Sequence, residues 1–98
     1  MGYNRFMKNS QMDELLKVLA TASKDKALLR TFLEDLLTPK ELQEIPVRWE
    51  IIRRLQKGDV HKNIAKDLKV GIGTVTRGAN ELKDKNGGFI KVLKKLYK

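Results

Sequence analysis

The segment from His61 to Lys83, HKNIAKDLKVGIGTVTRGANELK, constrains this chain more than any other. Ile64, Leu68, Val70, Val75 and Ala79 supply the apolar contacts that two short helices need when they cross at a steep angle, and Ala65 is small where they come closest. The pattern is a helix-turn-helix over about residues 61–83, with an arginine followed at once by glycine, Arg77–Gly78, on its second helix. Such a unit buries little by itself and needs a scaffold from the rest of the chain.

That scaffold also reads as helical, and no strand signal is present. Ser10 with Asp13 three residues on predicts the cap of a first helix, with Met12, Leu15, Leu16 and Leu19 on one face. After a polar break at 23–26, Leu29, Phe32, Leu33 and Leu36 form a second apolar stripe. Thr38-Pro39-Lys40-Glu41 is a strong start signal, with Thr as N-cap, Pro first in the helix and Glu three residues after the cap. This helix is expected to be short, because Pro46 cannot donate to the preceding turn, and a new one is expected from Val47 to near Gly58, carrying Trp49, Ile52 and Leu55. Asn86-Gly87-Gly88 predicts a turn before a last helix with Phe89, Val92, Leu93 and Leu96 on one side and Lys91, Lys94, Lys95 and Lys98 elsewhere. The expected fold class is all-α, short helices around the helix-turn-helix in a single domain over 1–98, without repeat or linker. A chain of 98 residues buries proportionally little surface, so pairing with a second copy is expected.

Charge narrows the partner. Residues 1–46 carry seven Lys or Arg against seven Asp or Glu, whereas 47–98 carry fourteen against five, so the whole net charge of +9 lies in the half holding the helix-turn-helix. A basic face can be merely solubilising; beside a groove-reading motif it points to nucleic acid, where phosphate neutralisation provides most of the affinity. With no cysteine, a disulfide, a zinc-thiolate site and a thiol nucleophile are excluded. His61 is the sole histidine, so neither a histidine metal site nor a catalytic triad can be built, and no enzyme is expected. Gly71-Ile72-Gly73 lacks the third glycine and the strand of a dinucleotide site. No apolar run approaches a membrane span and the first residues lack the apolar core of a signal peptide, so a cytoplasmic protein with no membrane partner is expected.

The stretches LLTPKELQEIPVRWEIIRRL and GIGTVTRGANELK, with the spacing between them, resemble the tryptophan repressor family from about Leu36 to Lys83. The leading helices and the last one agree in pattern only. The resemblance implies an intertwined all-helical homodimer whose aporepressor binds L-tryptophan and then a double-stranded DNA operator.

It also implies roles for particular residues. Arg77 and Arg48 match the two arginines that sandwich the indole ring, Arg77 also meeting the ligand carboxylate, and a guanidinium plane suits both stacking and pairing. An arginine on a reading helix is otherwise more often a phosphate contact, and Arg48 alone would read as an ordinary surface arginine. Gly78, lacking a side chain, leaves space for something to lie against the helix. Thr38 would bond the ligand carboxylate, although capping alone explains it, and Leu37 would offer a backbone carbonyl to the ligand ammonium. Two ligand-site positions depart from the family pattern: Glu81 stands where serine is common and Asp35 where an apolar residue is. A carboxylate near an ammonium strengthens binding; one facing the ligand carboxylate, or buried without a partner, weakens it.

For DNA, Ile72, Gly73 and Thr74 open the second motif helix, the end that meets base edges. By resemblance Thr76 and Lys83 face DNA, and Lys62, Lys66 and Lys69 lie where phosphates pass, although each lysine alone could simply be solvated. One residue fewer separates Gly58 from Ile64 than in the family, and Lys69 replaces a turn glycine at a modest backbone cost. Trp49 is expected in the dimer core, with stacking on DNA as the alternative. The expected function is a ligand-dependent transcriptional repressor, with L-tryptophan as corepressor and no other cofactor. The alternative is a constitutive DNA-binding or nucleoid-type module of the same fold with a decayed or altered ligand pocket.

Overall fold

A computed structural model describes residues 2–97, with side chains described from residue 9 on; Lys98 lies outside the described residues. Six helices and no strand are present among them: α1 (Gly2–Ala22), α2 (Lys26–Leu36), α3 (Pro39–Lys57), α4 (His61–Leu68), α5 (Ile72–Leu82) and α6 (Gly88–Leu96). The all-α expectation holds, but the helices are divided differently and two of them are long, 21 residues in α1 and 19 in α3. None of the described helices is long and apolar enough to cross a membrane. The chain divides into two compact units, Met1–Leu42 and Gln43–Lys98.

In the first unit, Ser10 and Asp13 do not cap α1; both lie inside it and are exposed. Nothing between Tyr3 and Asn9 breaks a helix, so the capping pattern had no end to cap. The break before α2 falls at Ser23–Asp25, and Asp25 is the N-cap: its Oδ1 accepts from the amides of Ala27 (3.0 Å) and Leu28 (3.2 Å). The start of α3 follows the sequence signal. The Thr38 amide donates to Glu41 Oε1 (2.9 Å) and the Glu41 amide donates to Thr38 Oγ1 (3.2 Å), two donors satisfied reciprocally.

Pro46 neither ends α3 nor starts a new helix, contrary to expectation. Its ring removes one amide and costs about 3 kcal/mol in a helix interior. The capping box before it and the buried Ile51 and Ile52 after it hold the two flanking stretches in one helix.

The second unit is built around Ile51, Ile64 and Val75, with Val47, Leu55, Ala65, Leu68 and Val70 packed against them. The apolar residues of the helix-turn-helix thus meet on α3, which is the scaffold that the motif requires; Ala79 is half-buried but stands outside this cluster. α3 ends at Gly58, whose φ of 93° an L side chain rarely adopts. α4 ends at Lys69 in the left-handed conformation (φ 56°, ψ 46°), and the Val70 amide returns to the Ala65 carbonyl (3.0 Å). Leu93 of α6 is buried, and the Trp49 and Phe89 rings lie tilted at 48° with centroids 6.1 Å apart, so Trp49 already packs within its own chain.

Candidate functional site

Helical spacing builds one groove in the second unit. Glu44, Val47, Arg48 and Ile51 recur along one face of α3, and Thr74, Arg77, Gly78 and Glu81 along one face of α5. Leu68 at the end of α4, Val70 from the motif turn and Phe89 from α6 complete the walls of a cavity of 660 Å³. That volume lies within the range of small-molecule sites, about 300–1,000 Å³. The walls are mainly apolar and carry two guanidinium and two carboxylate groups, none of them in an ion pair among the described residues. Arg48 and Arg77, far apart in sequence, therefore line the same groove, together with Gly78 and Glu81.

Gly78 has a further role. A Cβ placed on it would lie 3.2 Å from Ile51 Cγ2 and 3.3 Å from Ile52 Cδ1, so its missing side chain lets α5 approach α3. Part of the space beside this glycine is filled by the chain itself.

Leu37 and Thr38 belong to the first unit. Leu37 is half-buried and extended, its amide bonded to the Leu33 carbonyl (2.9 Å). The Thr38 hydroxyl accepts from the Glu41 amide (3.2 Å), and the bond of the Thr38 amide to the Glu41 carboxylate, with that of the hydroxyl, holds this carboxyl below its ordinary pKa. Asp35 is exposed on α2.

The residues expected at DNA lie on α4, the turn and α5. Lys62 and Lys66 are exposed on α4, Lys69 at the turn and Lys83 at the end of α5. Ile72 is 53% exposed at the first position of α5, and Gly73 has open space where a side chain would stand. Thr76 is exposed, but its hydroxyl donates to the Ile72 carbonyl (3.0 Å), leaving its lone pairs for an outside donor. Thr74 is exposed and also borders the groove, so one position belongs to both surfaces. His61 does not cap α4; Val60 is the N-cap and gives no side-chain acceptor.

An ionic cluster unforeseen in the sequence ties α3 to α4. Arg54 Nε lies 2.7 Å from Asp59 Oδ2, and its Nη1 lies 2.9 Å from Asp67 Oδ2. The bond to Arg54 holds the Asp59 carboxyl below its ordinary pKa and raises that of Arg54. Sequence reasoning also missed Gln43, Glu44 and Phe89 on the groove. Glu44 was reachable, one helical turn before Arg48; Phe89 was not, because only the fold brings α6 there. No group of three or more His, Asp or Glu among the described residues could hold a metal ion.

Comparison with known proteins gives this arrangement its context. The family described as Trp repressor protein matches residues 10–97, nearly the whole chain. The chain belongs to the Trp repressor family. Relatives named Trp operon repressor homolog include one from Vibrio campbellii, 39% identical over 69 residues, which are 69% of this chain and 69% of the relative. Another, from Photobacterium profundum, is 37% identical over 79 residues, 80% of this chain and 73% of the relative. A third, from Vibrio vulnificus, is 46% identical over 52 residues, about half of each chain. Trp repressor membership extends over α1 from Ser10 on, α2 and α6, where the sequence agreed in pattern only, and makes the chain a DNA-binding transcriptional regulator of a non-enzymatic family.

Proposed function

We propose that the chain is a ligand-dependent transcriptional repressor that binds L-tryptophan as corepressor and then a palindromic DNA operator through α4 and α5. The observation that carries this reading is the pair Arg48 and Arg77, brought from two helices to the walls of one groove. An indole ring fits between guanidinium planes, a ligand carboxylate pairs with Arg77, and Val47, Ile51 and Phe89 supply apolar walls. The ligand ammonium then meets Glu81 or Glu44, the ligand completes the α3–α5 contact, and Lys62, Lys66, Lys69 and Lys83 neutralise phosphates while Ile72, Gly73, Thr74 and Thr76 meet bases.

A homodimer acting as one DNA-binding domain in the cytoplasm completes the reading. Met12, Leu16, Leu28, Leu36, Val92 and Leu96 are each about half exposed or more, a large apolar area for so short a chain. A second, mainly apolar cavity of 580 Å³ lined by Trp49, Glu81, Gly88, Phe89, Val92 and Leu96 offers a partner a place to insert.

One observation favours the alternative of a constitutive DNA-binding module: two carboxylates, Glu44 and Glu81, line the groove. Facing the carboxylate of an amino acid, they would repel it. Calorimetric titration of L-tryptophan, followed by operator binding with and without it, separates the two. Heat of binding and a ligand-dependent gain in DNA affinity are expected; equal DNA affinity in both conditions would establish the constitutive module instead.

A further inference from the structure

One guanidinium joins three consecutive parts of the second unit. Arg54 near the end of α3 bonds Asp59 in the α3–α4 turn (2.7 Å) and Asp67 close to the end of α4 (2.9 Å), and its side chain is only 16% exposed. The α3–α4 turn is further fixed by the Asp59 amide, which donates back to the Arg54 carbonyl (3.0 Å).

α4 needs such a tie. Its eight residues fall well below the roughly 12–15 at which an isolated helix becomes marginally stable. Its N-cap Val60 provides no side-chain acceptor, and Ile64 is its one fully buried residue. Arg54 meets the chain just before α4 and again one residue before its end, so a single side chain braces both ends. Asp67 is also the only acid of α4, and pairing neutralises it beside Lys62 and Lys66.

We propose that Arg54 is a positioning residue for DNA binding: it fixes α4 on α3 whether or not ligand is bound, and so holds Lys62 and Lys66 in place for phosphate contact. The proposal rests on the ligand-dependent, DNA-binding reading above. Arg54 does not line the groove between α3 and α5. The ligand therefore acts chiefly on α5, touching α4 only at its last residue, Leu68, while Arg54 sets the rest of α4.

The test uses Arg54→Met, which removes both bonds but keeps a long side chain, and Arg54→Lys, which keeps the charge but cannot span both carboxylates. Amide exchange is measured residue by residue, L-tryptophan affinity by calorimetry, and DNA affinity on a duplex selected from a random library by the wild-type protein. In Arg54→Met, α4 amides are expected to exchange faster while those of α5 and the tryptophan affinity stay unchanged. DNA affinity should fall about tenfold, as for loss of a charged hydrogen bond, with and without tryptophan alike, so the ratio between the two is preserved. The salt dependence should flatten as the α4 phosphate contacts are lost, and Arg54→Lys should recover part of each effect. Unchanged α4 exchange would overturn the proposal. So would a parallel loss of tryptophan affinity or of the ligand-induced ratio, since either would put Arg54 in the ligand path or in the fold at large. Wild-type protein that binds no DNA would sink the functional reading instead, and α4 exchange would still decide whether Arg54 braces α4.

Discussion

Gly78 on α5 and Ile51 on α3 approach so closely that a Cβ on the glycine would stand 3.2 Å from Ile51 Cγ2. Both isoleucines facing it are buried, Ile51 at 2% and Ile52 at 1% exposure, and have little room to yield. Gly78→Ala gains up to about 1 kcal/mol in helix propensity, which the crowding offsets, so its stability should stay near that of wild type. Gly78→Val adds two further carbons and should cost about 1–3 kcal/mol by overpacking. Denaturant unfolding of both variants checks this; a fully stable Gly78→Val would mean that α5 stands off from α3.

The two groove arginines should separate ligand binding from DNA binding. Arg48→Ala and Arg77→Ala each remove a proposed stacking face, and Arg77→Ala also removes the proposed fork for the ligand carboxylate. Tryptophan affinity should drop by about 10- to 100-fold in Arg77→Ala, the range for a lost charged hydrogen bond. Calorimetry measures it, and residual DNA binding that remains salt-sensitive shows the variant to be folded. An unaffected tryptophan affinity would move the ligand to another site.

Much of this arrangement was legible in the sequence, for reasons that differ by residue. Ile64, Leu68, Val70 and Val75 announced their packing because helical periodicity is local information. Thr38 and Glu41 announced their cap because the motif lies within four residues. Ser10 and Pro46 misled for the same reason: each carries a local preference that a continuing helix overrode. Arg54 left no sign, since its partner Asp67 lies on the next helix and its charge merged into a basic half of the chain. The joint placement of Arg48 and Arg77 came from resemblance alone; no spacing rule links α3 to α5.

Association should be obligatory. With Leu16 55%, Leu28 49% and Leu96 58% exposed in the single chain, sedimentation at micromolar concentration should give a dimer whose unfolding midpoint rises with protein concentration. A folded monomer with a concentration-independent midpoint would refute this.

Operator affinity should fall steeply with salt. If Lys62, Lys66, Lys69 and Lys83 meet phosphates, Lys83→Ala should reduce the logarithmic salt slope by about one per contact removed and weaken all sequences alike. Filter binding over a salt series reads the slope, and salt-insensitive binding would remove the nucleic-acid reading.

Acid should loosen the α3–α4 junction. The Asp59 carboxyl is held below its ordinary pKa chiefly by its bond to Arg54, and Glu41 likewise by its bonds to Thr38. Both therefore stabilise the folded chain above the ordinary carboxylate range, about pH 4, and lose that contribution as pH falls through their lowered values. Thermal unfolding between pH 6 and pH 2 should show the decline, less steeply in Asp59→Asn. Identical pH profiles for the two proteins would exclude Asp59 as a contributor.

The left-handed backbone at Lys69 sets a limit on how this protein can be made more robust. Glycine is the natural occupant of such a conformation, and introducing it would relieve the turn between α4 and α5. It would also strip a cation from the face proposed to meet phosphate. A screen for thermostable variants should thus be drawn to position 69 and return proteins that survive heat yet hold DNA less tightly, whereas selection on repression keeps the strained lysine.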